Sequence, residues 1–164
     1  VPTAIAAVPS ATTAGSTPDI PILLEIPRAG VSAQVEPVGV TGGDMAAPST
    51  WWDVGWLSIN PRPGQVGNAV IDGHLDSPSG AAVFWRLSSL QAGDQVVVTT
   101  AAGQKLQFDV VDIESYAVAD IPLDTVFGPA STPQLNLITC AGTWDTAKQA
   151  YDRRLVVYTR LEST

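Results

Sequence analysis

Gln95-Val96-Val97-Val98-Thr99-Thr100 is followed by Ala102-Gly103 and then by Leu106-Gln107-Phe108-Asp109-Val110-Val111-Asp112-Ile113. The first run is rich in β-branched residues, which fit a pleated surface. The second alternates apolar and polar residues, the period of a half-buried strand. Ala102-Gly103 turns the chain between them, and Ala92-Gly93-Asp94 turns it in from upstream. The whole reads as a β-hairpin.

Working outward, the same pattern recurs. Ile22-Leu23-Leu24-Glu25-Ile26 is a short strand closed by Pro27. In residues 31–38, Val31, Ala33 and Val35 alternate with Ser32, Gln34 and Glu36. Residues 66–73 and 135–140 read as further strands, and 155–161 as the last one. Turns are expected at 41–44, at 60–64 with its two prolines, and at 77–80. Residues 81–90 and 121–127 each suit a helical turn, and 141–150 reads as a loop. No long amphipathic helix and no internal repeat stands out. About eight short strands between Gly/Pro turns predict an all-β barrel or sandwich.

Residues 1–19 are dominated by Ala, Thr, Ser, Pro and Val, with Asp19 the one charged residue. Such a segment buries too little to order itself alone, so it is expected to be an extended linker, or else a strand lying along the domain. The globular domain is then expected over 20–164, long enough for one core.

The net charge of -8 excludes a nucleic-acid phosphate partner and electrostatic docking on anionic lipid. No apolar run reaches the roughly 18 residues of a membrane span. The sequence starts at Val1 rather than Met, so an N-terminal leader or anchor ahead of it is expected.

Cys140 is the only cysteine and His74 the only histidine. With no disulfide possible within the chain, Cys140 is either a buried structural residue or a reactive thiol. A free thiol near pKa 8.5 is only a few per cent thiolate at neutral pH, so a nucleophilic role needs a base or a cation nearby. His74, in Ile71-Asp72-Gly73-His74-Leu75-Asp76, and Arg153 or Arg154 could supply them. Gly73 implies a bent or closely approached backbone. Each candidate stands at a strand end, where barrels display functional groups. No metal-ligand spacing surrounds His74, and no cofactor is expected. Trp51, Trp52 and Trp56 lie within six residues. They either line a sugar or peptide groove or pack the barrel.

The order of these residues resembles the sortases, cysteine transpeptidases of the Gram-positive cell surface. Gly73-His74 with Asp76, Gly80, Val83-Phe84, Leu90 and Gly93-Asp94 is similar to the family's histidine region, and Leu137-Ile138-Thr139-Cys140 to its cysteine motif. Leu24-Glu25-Ile26-Pro27 with Val31 and Val38-Gly39 resembles its opening strands. The likeness spans about residues 20–162. Cys140-Ala141-Gly142 and residues 80–84 look most like class F, with class E next.

The resemblance implies an eight-stranded sortase-type β-barrel with short helical turns. It implies that Cys140 attacks the Thr-Gly carbonyl of an LPXTG-like signal to form a thioacyl enzyme, and that His74 moves the proton of the leaving and incoming amines. An arginine would stabilise the oxyanion: Arg154 fits the usual spacing to the Val-Val-Tyr run, Arg153 a form with one extra residue. Alternation along a strand lets only one of them face the groove. Thr139 would contact substrate. The implied partners are LPXTG-bearing surface proteins and an amine acceptor, a peptidoglycan precursor or a pilin-like lysine. The implied place is the outer face of the cell membrane, held by an N-terminal anchor, with the enzyme a monomer. Two alternatives remain at this point: a non-catalytic surface β-domain that binds through its tryptophans, and a cysteine hydrolase whose acceptor is water.

Overall fold

The computed structural model describes residues 17–162. Eight strands close into a barrel: β1 Pro21–Ile26, β2 Val31–Val38, β3 Val54–Leu57, β4 Gly67–Asp72, β5 Gln95–Thr100, β6 Lys105–Ala117, β7 Pro133–Asp145 and β8 Ala150–Leu161. Around the barrel the order is β5-β6-β8-β7-β4-β3-β2-β1, and β1 pairs with β5 to close it. Closure leaves the barrel no open edge of its own, and two short two-stranded ribbons, 40–41 with 44–45 and 76–77 with 80–81, lie outside it. The all-β barrel expected from the strand pattern is therefore observed. Of the segment expected to be a linker, 1–16 lie outside the described residues. At 18 the carbonyl of Pro18 accepts a 2.9 Å hydrogen bond from Arg62 Nη1.

The β5–β6 hairpin is antiparallel, with Val96 opposite Phe108 and Val98 opposite Leu106. Those four residues point inward and are buried. They join Leu24, Ile26, Ala69, Ile71, Leu135, Leu137 and Val157 in one core. Alternation places their polar neighbours outside.

Two pairings are parallel: β2 with β3, and β4 with β7. Parallel neighbours need a crossover. The β4-to-β7 excursion includes the β5–β6 hairpin and a short helix, α1 (Leu123–Phe127). The expected turn near Pro122 is this helix. The helical turn within 81–90 is a 3-10 turn over Leu87–Ser89.

Three details depart from the sequence reading. β3 was not expected. All four of its residues are buried, so it lacks the polar alternation that announces a strand. Residues 141–150 are not a loop: β7 continues to Asp145 and β8 begins at Ala150, with Trp144 opposite Tyr151. A bulge between Ala141 and Trp144, holding Gly142 at φ +83°, interrupts the alternation there. β6 likewise runs to Ala117, past the predicted end at Ile113, because β8 supplies partners as far as Arg153.

Candidate active site

β4 and β7 lie side by side and parallel, with Asp72 opposite Ile138. Their C-terminal ends therefore open on the same rim. Gly73 carries the chain off β4 to His74, and Thr139 leads to Cys140 on β7. Two hydrogen bonds join these ends. The Gly73 amide donates to the Ile138 carbonyl at 3.3 Å, and the Thr139 hydroxyl donates to the Gly73 carbonyl at 2.7 Å.

Glycine is needed at 73 for space. A Cβ there would come within 2.7 Å of the Phe84 ring and 2.9 Å of Val83. This is the close approach the sequence implied. The segment behind fixes the histidine further: the Phe84 amide donates to the His74 carbonyl at 2.9 Å, and the Val83 amide to the Trp51 carbonyl at 3.1 Å. The Trp51 and His74 rings meet edge to face at 4.5 Å. The tryptophan cluster thus splits: Trp51 packs on the imidazole, Trp56 is buried in the core and Trp52 is exposed.

Cys140 and Arg154 are direct cross-strand partners on β7 and β8. Partners in an antiparallel pair share a face. His74, Thr139, Cys140 and Arg154 all line one cavity of about 730 Å³. Arg153, one residue along, does not line it. Its Nε and Nη2 donate to the hydroxyl and carbonyl of Ser115 on β6, both at 2.8 Å. Arg154 Nη1 donates to the carbonyls of Tyr151, at 3.2 Å, and Arg153, at 2.9 Å. Thr139 is buried, with its hydroxyl held by Gly73.

Burial pushes the Cys140 thiol above its ordinary pKa. The Arg154 guanidinium pulls it back down, while Asp76 and Asp72 push it up. The resting group is accordingly a thiol, with a cation positioned to favour its ionised form.

Sequence reading missed several residues here. Asp72, at the end of β4, lines the same cavity. Tyr151 donates its hydroxyl to Asp76 Oδ2 at 2.5 Å and packs edge to face on Trp144 at 5.2 Å. The cavity walls are apolar, with Met45, Leu57 and Ile59 among their residues together with Val118, Leu123 and Phe127. Leu123 and Val118 are exposed apolar residues, a signal that only the folded chain makes visible.

Buried asparagines fix the wall formed by α1. Asn68 Nδ2 donates to the carbonyls of Thr125 and Gly128, and Asn136 Nδ2 to Val126 O and Asn68 Oδ1. Among the described residues no three His, Cys, Asp or Glu side chains converge as metal ligands. No helix of the described residues is long and apolar enough to cross a membrane.

A family profile described as the sortase domain matches residues 24–162. Sortase A from Corynebacterium diphtheriae is similar in structure, with a TM-score of 0.67 at 22% identity over 92% of this chain and 64% of that one. The chain thus spans less than two thirds of that protein. Sortase C-1 from Actinomyces oris gives a TM-score of 0.67 at 25% identity, over 88% of this chain and 74% of that one. Sortase C from Streptococcus pneumoniae gives 0.69 at 19% identity, over 88% and 69%. No curated protein sequence matches the chain.

Proposed function

Because this chain belongs to the sortase family, we propose that it is a cysteine transpeptidase that cuts an LPXTG-like sorting signal between Thr and Gly and passes the acyl group to an amine. The observation that carries the reading is the shared cavity of Cys140, His74 and Arg154.

In this reading the Cys140 thiol gives its proton to His74 and Sγ, as thiolate, attacks the threonine carbonyl. The C–N bond breaks, His74 protonates the leaving glycine amine, and a thioester remains on Cys140. The incoming amine gives its proton to His74 and attacks the thioester, and the C–S bond breaks to release the thiolate and a new amide. Arg154 donates to the oxyanion of each tetrahedral intermediate, where fixed donors act most strongly. The covalent intermediate divides one hard step into two easier ones. Arg154 is preferred over Arg153, whose guanidinium is engaged with Ser115. The apolar walls suit the Leu-Pro end of such a signal. Thr139 is proposed to contact the peptide through the part of it that lines the cavity.

The proposed partners are surface proteins bearing the signal, with a peptidoglycan precursor or pilin-like lysine as acceptor. The catalytic domain is proposed to span 20–164 and to work at the outer face of the cell membrane. Cys140-Ala141-Gly142 and residues 80–84 favour class F, with class E next. The test is a Leu-Pro-X-Thr-Gly peptide with excess glycine-type amine, read by mass spectrometry, with Cys140→Ala alongside. An amide product formed by the parent chain and absent from the variant is expected. No cleavage over a panel of X residues and amines would overturn the reading. Cleavage that yields only the acid, whatever amine is added, would make the enzyme a hydrolase.

A further inference from the structure

Asp72 has an unusual setting for a carboxylate. It ends β4, two residues before His74, and lines the cavity with Cys140 and Arg154. Across the β3–β4 ladder it faces Gly55, and a Cβ on Gly55 would lie 2.6 Å from Asp72 Oδ1. Oδ1 is buried and has no hydrogen-bond partner. The carboxyl therefore sits against bare backbone, in space that a side chain at 55 would fill.

The charged and titratable groups around it make no ion pair with it. β3 contributes none, since it reads Val54-Gly55-Trp56-Leu57. β2 contributes Glu36, whose carboxylate accepts from the Ser49 amide and hydroxyl and whose charge opposes a second one at Asp72. β7 contributes Cys140, and β8 contributes Arg154, whose charge acts on the thiol. The segment after β4 adds His74 and Asp76.

We infer that Asp72 is a positioning residue of the site, acting through charge: ionised, it adds to burial and Asp76 in holding Cys140 as a thiol, and protonated, it withdraws its share and strengthens the hand of Arg154. The physical basis is that a like charge disfavours ionisation while a neutral carboxyl does not. Desolvation lifts the Asp72 carboxyl to about 7, against a pull in the other direction from the backbone of Asp72 and Gly55. Its charge thus changes in the range where the enzyme must work. Asp72 takes no covalent part. This inference rests on the reading of Cys140 as nucleophile, but its test needs only the thiol.

The experiment measures the rate of Cys140 alkylation by iodoacetamide from about pH 5 to about pH 10, in the parent chain and in Asp72→Asn. The neutral asparagine is expected to move the alkylation midpoint to lower pH by about half a unit or more, giving about threefold faster labelling below the midpoint. Coincident profiles in two folded proteins would overturn the inference. Should Asp72→Asn not fold, carboxyl-carbon NMR of the parent chain against Cys140→Ala decides it. The Asp72 carboxyl resonance of the parent chain should show a second inflection at the alkylation midpoint of the thiol that Cys140→Ala lacks, and identical curves overturn the inference. Peptide cleavage is assayed separately. A parent chain that cleaves while the profiles coincide removes only this inference. A chain that cleaves nothing removes the transpeptidase reading and leaves the thiol titration interpretable.

Discussion

Tyr151 donates its hydroxyl to Asp76 Oδ2 at 2.5 Å, and its carbonyl accepts from Arg154 Nη1 at 3.2 Å. One residue thus ties the segment following His74 to the guanidinium on β8. The bond to Asp76 also pushes the Tyr151 phenol up to about 12, so it stays neutral through the working range. Tyr151→Phe keeps the ring against Trp144 and removes only the hydroxyl. Expected is a stability loss of about 1 kcal/mol and a several-fold fall in kcat with a smaller change in KM. Denaturant melts and peptide kinetics check this, and a variant unchanged in both would show the contact to be inert.

The two arginines separate cleanly by substitution. Arg154→Ala is expected to lower kcat by about 100-fold or more, the usual effect of removing an oxyanion donor. Arg154→Lys should remain far below the parent chain, because an ammonium cannot reproduce the guanidinium fork. Arg153→Ala is expected to change kcat by about twofold at most while costing some stability, since its fork is bound to Ser115. If the two alanine variants traded effects, the assignment of Arg154 would be wrong.

Strand periodicity made much of the barrel legible. Residues 31–38 and 95–100 are strands with the expected limits because each has one face in the core and one in water. β3 was silent because it is buried throughout, and the β7–β8 extension was hidden by a bulge at Gly142. Of the candidate site, Cys140 and His74 stood out because each residue type occurs once, and both line the cavity. The site was illegible where contact depends on the fold. Nothing near Trp51 in sequence announces its packing on His74, and Asp76 and Tyr151 stand 75 residues apart.

The wall of the cavity depends on amide side chains in the core. Asn136 is fully buried, and its Nδ2 holds both the Val126 carbonyl of α1 and Asn68. Asn136→Ala leaves that carbonyl unpaired and opens a small void, for an expected cost of about 1–3 kcal/mol. Because Leu123 and Phe127 of α1 line the cavity, KM for the peptide should rise more than kcat falls. Urea unfolding and initial-rate kinetics test both parts. A large kcat effect with unchanged KM would place the role of α1 elsewhere.

Asp72 should also leave its mark on stability. Its folded pKa of about 7 lies above the ordinary aspartate value of 3.8, so the folded state binds the proton more tightly than the unfolded chain does. Stability from this group is therefore full below about pH 4, declines as pH rises through the interval, and is flat above about pH 7. The decline is at most about 4 kcal/mol, and partial exposure of the carboxyl lowers it. Asp72→Asn cannot ionise, so it should match the parent chain near pH 4 and become progressively more stable than it toward pH 8. Urea unfolding of both proteins at several pH values across that interval measures the gap directly. A gap that stays constant with pH would mean that the Asp72 carboxyl is solvated well enough to ionise freely, and the desolvation argument would fail with it.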